Sequence, residues 1–389
     1  MGAYTKYLDT LHNFPEINEE RKRKLKLISD LRGGRDILVY AMDKSNSIEP
    51  DDKLPFYEQL QQLGKKSEGV DIILETPGGI AEAVEDFIIA LHKEYKHVAV
   101  IIPGMAMSAG TIFAMGANEI LMGKMSTLGP IDAQMITNGK RFSVEAQLMG
   151  LEKIKNECAL TGRLNPAYIP FLQQLSPGEI QNWENASNFA KTMVGEWLRK
   201  YKFSTWEKHS STGKDVTEEE KSNRADEIAE NLGKHSTWLS HGRNFKIDRL
   251  REMKLKITDY SEDTKLDDAI SCYYALLCMS FERSNLYKIF ETSTSQIFRF
   301  RNVQAGLPIQ SQPVPGAPAP DNVDIDIDCP SCHNHFHLQG NLGRSKPIKT
   351  GFLPFPVKDN KVACPKCTAV IDVSQIRMQI EAQTRKKFV

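Results

Sequence analysis

VAVIIPGMAMSAGTIFAMGANEIL, Val98 to Leu121, decides the fold, because it reads as strand, tight turn and helix with one serine at the junction. Val98 to Ile102 is a short β-branched run of the kind buried on both faces of a parallel sheet. Pro103 and Gly104 end it, since proline cannot donate to a ladder and glycine accepts backbone angles that other residues refuse. The small residues Ala109, Gly110, Ala114, Gly116 and Ala117 would let the following helix lie close against the sheet. Ser108 is therefore expected at a helix N-terminus, where unpaired N–H groups and the positive dipole end stabilise negative charge beside the hydroxyl. Two simpler readings compete. Val98 to Asn118 carries no charge and is long enough to span a bilayer, although Pro103-Gly104 and the lack of basic and aromatic flanks weigh against that. Ser108 can also serve merely as a helix cap.

About thirty residues upstream, VDIILETPGGIAEAVEDFIIALHKE, Val70 to Glu94, repeats the pattern of strand, turn and helix. Its turn is Thr76-Pro77-Gly78-Gly79, and paired glycines before a helix leave backbone N–H groups uncovered, which suits an oxyanion hole or a phosphate. Two successive units predict a parallel sheet with right-handed crossovers, both turns opening at the C-terminal edge of the strands.

Four motifs in this order carry a resemblance: Thr76-Pro77-Gly78-Gly79, Gly104-Met105-Ala106-Met107-Ser108-Ala109-Gly110, Gly116-Ala117-Asn118-Glu119-Ile120 and Leu128-Gly129-Pro130-Ile131-Asp132. Asp71 to Gln134 resembles the Clp protease proteolytic subunit and signal peptide peptidase A, and is most similar to the serine dehydrogenase proteinase family. The resemblance implies an α/β, ClpP/crotonase-like domain of parallel strands and crossover helices. It also implies an ATP-independent serine endopeptidase that forms an acyl-enzyme, with Ser108 as nucleophile and the N–H groups of Gly79 and Ala109 as oxyanion hole. A homo-oligomer acting on polypeptide substrates is implied too.

The general base is not carried over. Where Clp-type enzymes place a histidine, this sequence has Ile131-Asp132-Ala133. The alternative is a serine-lysine dyad. SVEAQLMGLEKIKNEC, Ser143 to Cys158, reads as a helix with Val144, Leu148, Leu151 and Cys158 on one side. At about 100° per residue Lys155 falls in the middle of that side and Lys153 opposite it. Desolvation there would lower the amine toward the range of a base, which makes Lys155 the candidate; a lysine that carries its ammonium out to water past an apolar stem is the alternative. Lys140, His235 and His241 are held in reserve.

Cys329-Pro330-Ser331-Cys332 and Cys364-Pro365-Lys366-Cys367 are two knuckles that each aim two thiolates at one point, as tetrahedral Zn2+ requires. The 31 residues between them exceed the usual spacing, which a longer hairpin accommodates. Four cysteines leave no open position for water, so the zinc is expected to be structural and the ribbon to bind protein, nucleic acid or nothing. His333, His335 and His337 alternate as on a strand; they are candidate substitute ligands but are expected at the surface. Cys158, Cys272 and Cys278 stand singly, and an odd total of seven argues against a disulfide framework.

The 389 residues allow more than one domain, and 50 basic residues against 50 acidic ones give no field that demands nucleic acid. The first residues contain no apolar core of signal-peptide length, so a soluble, cytoplasmic protein without membrane partners is expected. The expected organisation is a helical segment over 1–34, the peptidase domain over 35–258, a helical extension over 259–303, a Pro-rich linker over 304–322, the zinc ribbon over 323–374 and a basic tail over 375–389. Two other functions fit parts of this pattern. A crotonase-type acyl-CoA enzyme would use the same oxyanion hole, and a non-catalytic scaffold with a partner-binding ribbon would explain the missing histidine.

Overall fold

A computed structural model describes residues 2–11, 13–64, 67–137, 140–209, 212–301, 321–332, 334–384 and 386–389. The chain forms two compact units, Met1–Phe281 with Tyr287–Arg299, and Glu282–Leu286 with Phe300–Val389.

The first unit is built on four short apolar runs that lie side by side as parallel strands in sequence order: β1 (Asp36–Met42), β2 (Gly69–Glu75), β3 (His97–Ile102) and β4 (Glu119–Met122). β1 and β2 are buried along their whole length, as expected of strands covered on both faces. The pair Thr258–Asp259, β5, extends the parallel set beyond β4. At the other edge β6 (Leu286–Glu291) pairs antiparallel with β1, and β7 (Gln296–Phe300) lies outside it.

Helix Ala81–Glu94 buries Val84, Phe87, Ile88 and Leu91, and every residue of helix Ala109–Met115 is buried. Val98–Asn118 is thus strand and short helix, and no helix among the described residues is long and apolar enough to cross a membrane. Tyr40, Phe56, Phe87 and Phe113 interlock edge-on and tilted between sheet and helices. Ser176 caps helix Pro177–Trp197 through a reciprocal bond with Glu179, as Ser-Pro-Gly-Glu predicts.

The segment 286–300, expected to continue as helix, instead supplies β6 and β7. Lys288 and Glu291 stand three apart and mimic the wet face of a helix. In the structure both are buried, Lys288 at 2.8 Å from Asp52 and Glu291 at 3.0 Å from Arg21, so pairing removes the cost that made burial look unfavourable.

In the second unit β8 (Asn322–Asp328), β9 (His335–Asn341) and β10 (Phe352–Pro354) form one sheet, and β11 (Lys361–Ala363) pairs with β12 (Val370–Asp372). Val323, Ile325, Ile327, Phe336 and Leu338 face its core. The basic tail is no loose end. Helix Ser374–Thr384 brings Ile376 and Ile380 into that core, and Phe388 stacks on Phe355 at 4.2 Å. Of the Pro-rich linker, 304–320 lies outside the described residues, as does His333.

Candidate active site

Parallel neighbours β2 and β3 end at the same edge, so their two turns meet. Thr76 N–H donates to Met105 O at 2.9 Å and Met107 N–H donates to Thr76 O at 3.0 Å, stitching one turn to the other. Beneath them the buried Glu75 carboxylate accepts from the amides of Gly104 at 3.0 Å and Met105 at 2.9 Å. Burial dominates at Glu75 and pushes its carboxyl up to about 7, against the lowering effect of those amides and of the Tyr274 hydroxyl.

Ser108 stands at the head of helix Ala109–Met115 with φ 50° and ψ −115°, in the half of backbone space that L-residues avoid, and its side chain makes no capping bond. The simple capping role is therefore not the one its hydroxyl plays. The close turn needs small neighbours. A methyl group at Gly110 would fall 2.5 Å from Thr76 Cγ2, and one at Gly79, where φ is +149°, would fall 2.3 Å from Ile48 O. Ile48 N–H donates to Gly78 O and Ile80 N–H to Ile48 O, which turns the intervening Gly79 N–H away from residue 48. Among the described residues the N–H groups of Gly79 and Ala109 have no hydrogen-bond partner. Both residues line, with Ser108, a cleft of about 1090 Å³.

Asp132 and His241 border the same cleft. The Asp132 side chain is buried, and its two oxygens face His241 Nδ1 at 2.7 Å and His235 Nδ1 at 3.0 Å. Burial works to raise its carboxyl, but the His241 contact, with Ser143 and His235, holds it below the usual carboxylate range. With Nδ1 engaged by a carboxylate, a neutral His241 would carry its hydrogen there and offer Nε2 as an acceptor. An imidazole oriented in this way can take the proton of a serine hydroxyl that reaches it within the cleft.

Lys155 requires a correction. Expected on a buried face, its side chain is 75% exposed, pairs with Glu152 at 3.3 Å and does not line the cleft. Helix Val144–Thr161 fully buries only Val144; Leu148, Leu151 and Cys158 on its apolar side are half-buried, and Lys155 itself stands in solvent. Lys140 opens a short strand, Lys140–Ser143, and its side chain lies outside the described residues.

In the second unit Cys329 Sγ lies 3.5 Å from Cys367 Sγ and Cys332 Sγ lies 3.7 Å from Cys364 Sγ. All four sulfurs fall within 4.8 Å of one another. Metal–sulfur bonds of about 2.3 Å in a tetrahedron put sulfurs about 3.8 Å apart, so this set can hold a metal ion. Burial raises the Cys364 thiol, but the amides of Cys367 and Lys366 and the thiols of Cys329 and Cys332 bring it down to about 6.

The segment that carries this turn architecture has a counterpart among known sequences. Residues 20–158 match the family of ClpP-like SDH-type serine proteinases. This ClpP-like segment includes Gly79, Ser108, Ala109, Asp132 and Lys155, whereas His235 and His241 lie beyond it. Two curated relatives, the uncharacterized proteins MJ1495 and MJ0137 of Methanocaldococcus jannaschii, are 32% identical over 137 residues and 28% identical over 156. The alignments take 34% and 39% of this chain, which spans about half the length of those relatives, 47% and 54%. Among solved structures, a mutant of the 1510-N membrane-bound stomatin-specific protease is 23% identical over 33% of this chain and 65% of its own, with a TM-score of 0.24. A ClpP1 mutant from Listeria monocytogenes is 12% identical over 61% and 99%, with a TM-score of 0.29. The fold of the ClpP-like segment is α/β with a mostly parallel sheet.

Sequence reasoning named His241 only as a reserve. The signal that points to it, a lone Asp132 where the resemblance expects a histidine, has meaning only once a distant histidine is seen to meet that carboxylate.

Proposed function

We propose that this chain is a serine endopeptidase in which Ser108 is the nucleophile, His241 the general base and Asp132 the residue that orients it. The observation that carries this reading is the 2.7 Å contact between Asp132 and His241 on the cleft that Ser108 enters. In the first half-reaction the Ser108 Oγ–H proton passes to His241 Nε2 as Oγ bonds to the scissile carbonyl carbon. The amides of Gly79 and Ala109 hold the resulting oxyanion. His241 then gives the proton to the leaving amine, the C–N bond breaks, and an ester on Ser108 remains. Water, deprotonated by His241, attacks that ester and restores the serine.

Substrates are polypeptides in extended form. A cleft of about 1090 Å³, open and lined by both polar and apolar groups, exceeds what one small molecule needs. No nucleotide enters this chemistry, and assembly into a homo-oligomer is part of the same reading. The peptidase domain is assigned to 35–258, with β6 and β7 completing its sheet, and the four cysteines are assigned to structural Zn2+, which when bound would fix the two knuckles of the ribbon.

Labelling with a fluorophosphonate probe tests the assignment. Wild type and Lys155→Ala are expected to label, while Ser108→Ala and His241→Ala are not. If Lys155→Ala abolished labelling and His241→Ala spared it, the serine-lysine dyad would replace this base. Absence of labelling in the wild-type protein under all conditions would favour a scaffold without catalysis.

A further inference from the structure

The second unit carries a second constellation of metal-binding side chains, on the opposite face of the strand that leads into the cysteines. In NVDIDID, β8, Val323, Ile325 and Ile327 point into the core and Asp324, Asp326 and Asp328 point out. Cys329 continues the inward series. In β9 the inward residues are Phe336 and Leu338, which sends His335 and His337 outward.

The register then brings imidazole to carboxylate. His337 faces Asp326 and His335 faces Asp328 across the antiparallel pair. His337 Nδ1 is 2.6 Å from Asp326 Oδ1, and His335 Nδ1 is 2.8 Å from Asp328 Oδ1. The two rings lie 4.9 Å apart, and that of His337 stacks on Phe352 at 5.0 Å, which limits its rotation. Ligand atoms of Asp326, His335 and His337 all fall within 4.8 Å of one another.

We propose that Asp326, His335 and His337 bind a divalent transition-metal ion at a site separate from the four cysteines. Two imidazoles and a carboxylate suit Zn2+, Ni2+ or Cu2+ and are a poor set for Mg2+ or Ca2+. Ligands at about 2.1 Å from one ion lie about 3.4 Å apart, so small rotations of exposed side chains close the set without moving the backbone. Asp328 lies within reach of the His335 imidazole and can orient it from outside the coordination sphere. The strand pair supplies rigidity, because its inward face is the core of the unit. Cross-strand ion pairing alone would leave the face with no metal, and metal content separates the two cases.

The full chain would be dialysed against micromolar free Zn2+ and its metal content measured, in wild type, in the double variant His335→Ala/His337→Ala and in Asp326→Asn. Wild type is expected to hold one equivalent more than the double variant, and Asp326→Asn to lose the same equivalent at higher free zinc than wild type does. Because the readout is a difference, it stands whether or not the cysteines are loaded. Circular dichroism of the variants would show that the strands persist. Equal zinc content in wild type and double variant, with both folded, would overturn the proposal.

Discussion

Asp132 Oδ1 lies 2.7 Å from His241 Nδ1, although the two residues are 109 apart in the chain. The pair gives Asp132→Asn a specific outcome. An amide can present its NH2 to Nδ1 and so favour the tautomer whose Nε2 carries the hydrogen, which cannot accept the Ser108 proton. We expect kcat/KM to fall by about 10³–10⁴ with KM little changed, measured on a fluorogenic peptide. A loss below tenfold would show that the contact is only structural.

Gly78 lies against Ser108. A methyl group there would lie 2.8 Å from both Ser108 Cβ and Met107 O, at a residue whose φ is +114°. Gly78→Ala is expected to displace the Ser108 turn and abolish fluorophosphonate labelling, with a stability loss of about 1–3 kcal/mol in urea unfolding. Retained labelling at the wild-type rate would mean that the turn tolerates the shift.

Glu75 makes stability depend on pH in an unusual direction for a carboxylate. Its folded pKa of about 7 lies above the unfolded value, so between the two the native state binds more protons. Stability from this group is full at pH below about 4.5 and is lost as pH rises to about 7, by roughly 3 kcal/mol in all. Glu75→Gln keeps a neutral acceptor for the two amides and should remove that slope. Urea titrations of both proteins from pH 5 to 8 check it, and parallel curves would refute the assignment.

Asp52 concentrates four donors: Lys288 Nζ at 2.8 Å, Arg299 at 2.8 Å, the Tyr40 hydroxyl at 2.5 Å and the Glu49 amide at 3.0 Å. Removing it leaves the fully buried Lys288 ammonium, among the described residues, with only Glu49 at 3.3 Å. Asp52→Ala should therefore destabilise by about 3–5 kcal/mol. Arg299→Ala, whose side chain reaches solvent, should cost about 1 kcal/mol or less. Comparable losses in the two variants would show that burial of Lys288 is not what makes Asp52 costly to remove.

By itself the sequence determined whatever is encoded locally. Short β-branched runs, proline and glycine stops and small-residue helices gave β1 to β4 in order, placed Ser108 at a strand-to-helix junction and set Gly78-Gly79 beside it. The spacing of the cysteines announced a set able to hold a metal ion in the same way, since each knuckle needs only its own turn. Tertiary structure decided what depends on residues far apart. It paired Lys288 with Asp52 and so made a strand of a charged segment, and it left the apolar side of helix Val144–Thr161 only half-buried and Lys155 in water. It also brought His241 to Asp132. The physical reason is common to all three: periodicity records which side of an element is apolar, but the dielectric and the partners a charge meets are set by whichever distant segment packs there.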